Sequence, residues 1–123
     1  MDHITEAIQK YTILIVEDHQ EMQHFIASIL QKNYQLLIVN NGKEALERLK
    51  QSSVDLIISD VMMPLMDGYE VCYQIKENPE TKDIPIIFVS ALASPKEIEM
   101  GNEAGGDDYI TKPFDEEILL INE

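Results

Sequence analysis

The sequence predicts an α/β domain built on a parallel sheet. Short runs rich in β-branched residues alternate five times along the chain with stretches of helical period. The runs are almost continuously apolar, which suits strands that are buried on both faces. The alternation favours βα units, in which each helix connects two parallel strands. With 123 residues, the chain has room for one such domain and not for a second.

The amino-terminal half supplies two strands and two helices. Residues 12–16 form the first apolar run, and the first helix follows it. The apolar stripe of that helix consists of Met22, Phe25, Ile26, Ile29 and Leu30. The second strand is predicted over 36–39, and the second helix begins after Asn41, because Glu44 three residues later completes a capping-box pattern. Its apolar stripe consists of Ala45, Leu46 and Leu49.

The carboxyl-terminal half continues the alternation. Strands are predicted over 54–58 and 84–89, with a weaker one at 109–110. Ser94 followed by Pro95 marks the start of a fourth helix. The last helix, 115–123, stops after about two turns, so we expect a single domain, 1–123, cut from a longer chain. The less regular stripe of the third helix consists of Tyr69, Cys72, Tyr73 and Ile75.

Charge and cysteine content argue against several classes of function. The chain has 9 basic and 23 acidic residues and a net charge of −14, so we expect no direct contact with nucleic acid or with a membrane. The single cysteine excludes an internal disulfide framework. The longest apolar runs are too short for a bilayer, and the amino terminus lacks the layout of a signal peptide. We therefore expect a cytoplasmic domain.

Acidic side chains follow two of the predicted strands. Glu17 and Asp18 come after the first strand, and Asp60 comes after the third. Ligands of open parallel sheets bind at the carboxyl ends of the strands, and these three side chains converge there if the two strands are neighbours. Carboxylates that close raise one another's pKa or require a cation. Oxygen ligands without a cluster of Cys or His favour a hard ion such as Mg²⁺ over zinc.

Two further polar side chains follow the last two strands. Ser90 offers a hydroxyl and Lys112 a mobile positive charge, and both suit phosphoryl oxygens. A carboxylate beside Mg²⁺ and a lysine is a suitable nucleophile for a phosphoryl group. Each residue alone is more often a turn former, a helix cap or a solvated side chain. The combination at the ends of four strands carries the hypothesis.

The motifs resemble those of the receiver domain of bacterial two-component signalling. The matching segments cover almost the whole chain from residue 12 and are 13–18, 55–68, 89–91 and 104–114. The segments around the third and fifth strands are long and specific. The resemblance implies a flavodoxin-like (βα)5 fold, with five parallel strands in the order 2-1-3-4-5 and helices on both faces.

The resemblance also implies roles for individual residues. Asp60 is expected to accept a phosphoryl group, with Ser90 and Lys112 binding its oxygens and Tyr109 acting with Ser90 as the conformational switch. Mg²⁺, which Mn²⁺ can replace, is expected on a fixed set of ligands. These are Asp18 and Asp60 directly, the backbone carbonyl of Met62, and Glu17 through water.

The implied partner is a histidine kinase or a histidine phosphotransfer domain. The phosphohistidine donates its phosphoryl group to Asp60, and the domain then changes conformation to regulate an output. Such a domain catalyses only its own phosphorylation and dephosphorylation, so any kinase activity would lie elsewhere in the full-length chain. We also expect the receiver to belong to a hybrid histidine kinase, where it would be the cytoplasmic part of a membrane-bound sensor.

Some positions depart from the family pattern. Gly106 stands where alanine is frequent, and Asn102 stands where an apolar residue is usual on the fourth helix. The last helix has no Lys or Arg, so the dimer salt bridges of the DNA-binding branch are not expected. The Lys112–Pro113 bond is expected to be cis.

Three other functions fit these residues less well. A phosphatase of the haloacid-dehalogenase type needs a second Asp two positions after the nucleophile, where this chain has Met62. A flavodoxin-like mononucleotide carrier would need a Ser/Thr/Gly phosphate loop after the first strand, where Glu17 and Asp18 would instead repel the phosphate. A receiver that binds partners without switching is disfavoured by the intact Asp60, Ser90 and Lys112, although the sequence leaves it open.

His19 follows the acidic pair directly. Because hard cations avoid imidazole, we expect a solvent-facing loop residue or helix cap here rather than a metal ligand.

Overall fold

The computed structural model describes residues 11–61, 67–90, 99–100, 103, 105–106 and 108–111. Within them lies one parallel sheet of five strands in the order β2-β1-β3-β4-β5. The predicted α/β class and the strand order implied by the resemblance are both confirmed. The strands are β1 (Thr12–Val16), β2 (Gln35–Val39), β3 (Leu56–Asp60), β4 (Ile86–Ser90) and β5 (Asp108–Thr111).

Helices connect the strands and pack on the sheet. They are α1 (Gln20–Leu30), α2 (Gly42–Gln51) and α3 (Gly68–Glu77), and Glu99, Met100 and Glu103 are also helical. Asn41 caps α2 as predicted, since its Oδ1 accepts a 2.9 Å hydrogen bond from the amide of Glu44. The second hydrogen bond of a capping box would run from the amide of Asn41 to the Glu44 carboxylate. Here the Glu44 carboxylate instead accepts from the amide of Asn40 at 3.0 Å.

The sheet is buried on both faces. One core contains Leu14, Val16 and Phe88 with side chains from α2 and α3, and the other contains Ile13 and Ile15 with side chains from α1. Alternating residues of β1 therefore enter opposite cores, and all of them from Ile13 to Val16 are at most 1% exposed. The near-continuous apolar runs reflect this double burial.

The third strand lies two residues later than predicted. It spans Leu56–Asp60 instead of 54–58, because its ladder with β1 begins at the pair of Ile13 and Leu56. Asp55 precedes the strand and hydrogen-bonds Thr12, the first residue of β1. The Asp55 amide donates to the Thr12 carbonyl at 2.8 Å, and Asp55 Oδ2 accepts from the Thr12 amide at 2.8 Å. The shift brings Asp60 into the strand as its last residue.

Several sequence expectations lie outside the described residues. They concern Met62, Asn102, Lys112, the Lys112–Pro113 bond and the helix at 115–123. The helices in the described part of the chain are all too short or too polar to cross a membrane.

Candidate functional site

The carboxyl ends of the strands bring the predicted acidic residues together. Val16 pairs with Ser59 across β1 and β3, so the next residues along these two strands, Glu17 and Asp60, lie side by side. Asp60 in turn pairs with Val89 on β4. The convergence that the sequence made conditional on neighbouring strands is therefore present.

The acidic side chains form a compact cluster with a histidine. One ligand atom from each of Glu17, Asp18, His19 and Asp60 lies within 4.8 Å of the others. Glu17 is 1% exposed and Asp60 is 6% exposed, whereas the Asp18 side chain is 25% exposed. The cluster thus has a buried floor of two carboxylates and opens to solvent at Asp18 and His19.

Hydrogen bonds satisfy only part of this acidic cluster. Asp60 Oδ1 accepts a 2.8 Å bond from the amide of Val61, and Glu17 Oε2 accepts a 3.2 Å bond from the amide of His19. Asp18 Oδ1 is buried and has no hydrogen-bond partner. A buried carboxylate oxygen without a donor is costly. A divalent cation bound among the carboxylates would satisfy that oxygen, and an all-oxygen donor set suits Mg²⁺.

His19 occupies the N-cap position of α1, which agrees with the sequence expectation, but its side chain makes no capping bond. The side chain is 72% exposed, and its Nδ1 lies 3.3 Å from Glu17 Oε2 and 3.2 Å from Asp18 Oδ1. His19 is not among the residues predicted from the sequence to form the cluster. The available signal was its position directly after the acidic pair.

Backbone contacts hold the acidic residues in place. The buried side chain of Gln23 on α1 donates to the carbonyl of Glu17 and, at 2.9 Å, to Asn40 Oδ1 beyond β2. Gly68 packs directly on the end of β3: a Cβ there would collide with the carbonyl oxygen of Asp60 and lie 3.0 Å from Cα of Val61. The sequence argument identified neither residue as a support of the site.

The remaining predicted site residues are only partly described. Ser90 is the last residue of β4 and pairs with Thr111, and Tyr109 pairs with Phe88. The backbone therefore places Ser90 at the same edge of the sheet as Asp60. Met62 and Lys112 lie outside the described residues.

Comparison with known families decides the classification of this site. The family model of the response regulator receiver domain matches residues 13–122. The chain belongs to the receiver domain family. Receiver domains are phospho-accepting switches of two-component signalling, and they interact with histidine kinases or phosphotransfer proteins.

A curated relative shows the same receiver domain inside a larger protein. Histidine kinase P4 of Formosa agariphila is 46% identical over 113 residues, which are 92% of this chain and 8% of that protein. In eight of the curated relatives that were matched, this chain spans between 8% and 50% of the relative's length. The receiver fold is therefore shared with proteins that contain further domains.

Solved receiver structures share the fold, and two of them contain a divalent metal ion. A receiver of a signal transduction histidine kinase from Syntrophus aciditrophicus is 41% identical, with a TM-score of 0.85 over 91% of this chain and 86% of that one. The receiver of sensor histidine kinase PA1611 of Pseudomonas aeruginosa has magnesium in its active-site cleft. It is 30% identical, with a TM-score of 0.85 over 92% and 93% of the two chains. Response regulator Rcp1 was solved with Mn²⁺; it is 26% identical, with a TM-score of 0.78 over 91% and 88%.

Proposed function

We propose that Asp60 accepts the phosphoryl group in this receiver domain. The observation that carries the proposal is the convergence of Glu17, Asp18 and Asp60, with one buried oxygen of Asp18 lacking a donor. Asp60 is the central member of this group, because it ends the middle strand of the five and is only 6% exposed. A cleft of this kind concentrates negative charge where a metal and a phosphoryl group can be bound together.

The metal ligands follow from the cluster and from the family pattern. Asp18 and Asp60 would bind Mg²⁺ directly, Glu17 would bind it through water, and Met62 would contribute its backbone carbonyl. When bound, Mg²⁺ would neutralise charge between the carboxylates and the phosphoryl oxygens. The short bond from the Val61 amide orients the Asp60 carboxylate at the end of its strand.

The transfer exchanges one bond to phosphorus for another. A carboxylate oxygen of Asp60 forms the new oxygen–phosphorus bond, and the nitrogen–phosphorus bond of the donor phosphohistidine breaks, with the electron pair returning to the imidazole. Ser90 and Lys112 would bind the transferred oxygens. Tyr109 would respond to the change at Ser90. Ser90 pairs with Thr111 on β5, the strand that also contains Tyr109.

The proposed donor is a histidine kinase or a histidine phosphotransfer domain. The domain 1–123 would serve as the receiver of a longer protein, either a hybrid histidine kinase or a response regulator. It would catalyse only its own phosphorylation and dephosphorylation. The relative among histidine kinases and the receiver structures from histidine kinases support the hybrid arrangement.

The test is phosphorylation of the purified domain by acetyl phosphate with Mg²⁺. Intact-mass spectrometry should show one added phosphate on the wild type and none on Asp60→Asn. The Asp83→Asn variant removes the same charge from an exposed turn and should be phosphorylated like the wild type. A phosphate that persists on Asp60→Asn would refute the assignment.

A further inference from the structure

The imidazole of His19 lies at the open side of the acidic cluster. Its Nδ1 is 3.2 Å from Asp18 Oδ1 and 3.3 Å from Glu17 Oε2. Adjacent ligands of an octahedral ion with bonds of about 2.1 Å lie about 3.0 Å apart. The ring nitrogen and Asp18 Oδ1, which would bind the ion directly, are therefore already close to the spacing of neighbouring ligands on one ion.

The backbone of His19 is held in place while its ring remains adjustable. The amide of His19 donates to Glu17 Oε2 at 3.2 Å, and its carbonyl accepts from the amide of Gln23 at 3.0 Å in the first turn of α1. The ring itself is 72% exposed, so a small rotation toward an ion encounters little packing. Asp18 Oδ1 has no hydrogen-bond partner, whereas the ring Nδ1 shares a 3.3 Å hydrogen bond with Glu17 Oε2. An ion between Nδ1 and Asp18 Oδ1 would therefore replace one exposed hydrogen bond of the ring.

The donor set of the site determines which ions it prefers. Mg²⁺ takes oxygen ligands and keeps several waters, so it gains little from a nearby imidazole. Imidazole binds transition ions readily, and their affinities for nitrogen and oxygen sites rise along the first row from Mn²⁺. An imidazole that replaces one bound water would therefore strengthen the binding of transition ions without strengthening that of Mg²⁺, with the smallest gain for Mn²⁺ and larger gains for Co²⁺ and Ni²⁺.

We propose that His19 is a ligand that shifts the metal preference of this receiver toward Mn²⁺ and other divalent transition ions. The inference rests on the proposed function, because Asp18 and Asp60 are taken to hold the same ion. It differs from the expectation for hard cations, which placed His19 outside the site. The geometry around Asp18 Oδ1 is the reason for the change.

The test measures Mg²⁺ and Mn²⁺ affinities of the untagged, metal-free domain by isothermal titration calorimetry. His19→Ala should weaken Mn²⁺ binding by about fivefold or more and change Mg²⁺ binding by less than about twofold. His24→Ala is the matched control, because His24 is an exposed histidine of α1 outside the cluster, and it should change neither affinity.

Pulsed electron paramagnetic resonance of the Mn²⁺ form gives an independent readout. Coupling of Mn²⁺ to an imidazole ¹⁴N should be present in the wild type and in His24→Ala and absent from His19→Ala. His19→Asn repeats the comparison with a polar residue that favours the N-cap position, so a change at the start of α1 alone would not reproduce the result.

The outcomes separate this inference from the proposed function. If both ions bind and His19→Ala leaves their affinity ratio and the ¹⁴N coupling unchanged, the role of His19 is refuted and the phosphoacceptor site stands. If His19→Ala binds both ions more tightly, the ring competes with the metal and the inference is equally wrong. If the wild type binds neither ion, or Asp18→Asn binds them as the wild type does, the metal site itself is refuted.

Discussion

Removing one charge from the acidic cluster should stabilise the metal-free domain. Asp18→Asn keeps the shape of the side chain and takes one carboxylate away from Glu17 and Asp60, whose ligand atoms lie within 4.8 Å. Two unit charges at 4.8 Å repel each other by about 0.9 kcal/mol in water and by about 3.5 kcal/mol at an effective dielectric constant of about 20. Asp18 is at the open side of the cluster, so the lower value applies to each of its two pairs.

The expected gain is therefore about 2 kcal/mol in the free energy of unfolding. For a domain of 123 residues, that corresponds to an increase of about 8 °C in Tm. The assay is thermal unfolding followed by circular dichroism in EDTA at pH 8. Asp83→Asn is the control for net charge, because Asp83 is exposed in a turn outside the cluster.

Saturating Mg²⁺ should make the wild type at least as stable as Asp18→Asn. At one hundred times its dissociation constant, a ligand of the native state adds about 2.7 kcal/mol to stability. The wild type should gain this stabilisation, and Asp18→Asn should lose most of it. The electrostatic reasoning is refuted if, without metal, Asp18→Asn is no more stable than Asp83→Asn.

Two further predictions concern glycines that lie against other parts of the chain. Gly68→Ala should lower the free energy of unfolding by about 1–2 kcal/mol, because the new methyl group collides with the Asp60 carbonyl. Thermal unfolding measures this loss, and phosphorylation by acetyl phosphate should also be slower. Unchanged stability and an unchanged phosphorylation rate would show that Gly68 does not pack against Asp60 in this way. Gly105→Ala should cost about 1–2 kcal/mol, because Gly105 has a φ of +99° and its Cβ would lie 2.9 Å from Cγ of Lys76. The amine of Lys76 is anchored on the Ile84 carbonyl at 2.7 Å, so the stem cannot easily move aside, and an unchanged urea midpoint would show that it can.

The helices and strands of this domain were largely predictable because their signals are local. Apolar runs of β-branched residues predicted strands that are buried on both faces, and Asn41 predicted the start of α2 through its own hydrogen bond to Glu44. The order of the strands came from the resemblance rather than from these patterns. Chain order alone does not say that β1 lies between β2 and β3, because pairing depends on contacts between distant segments.

Local patterns also located the acidic residues of the site. The position of Glu17, Asp18 and Asp60 after their strands was enough to suggest a metal, since the carboxyl ends of parallel strands share one edge. The distances within the cluster depend on the register of β1 against β3. The paired part of β3 begins at Leu56, two residues later than the apolar run suggested.

The sequence alone determined the fold class, the cap of α2 and the identity of the acidic residues. The tertiary structure decided which side chains meet. The ring of His19 lies within 4.8 Å of Asp60, on another strand, because α1 begins just past the end of β1, and Gly68 supports Asp60 because α3 starts against the end of β3. Both contacts depend on how a helix is positioned on the sheet, and the packing that determines this position comes from residues spread over the whole chain.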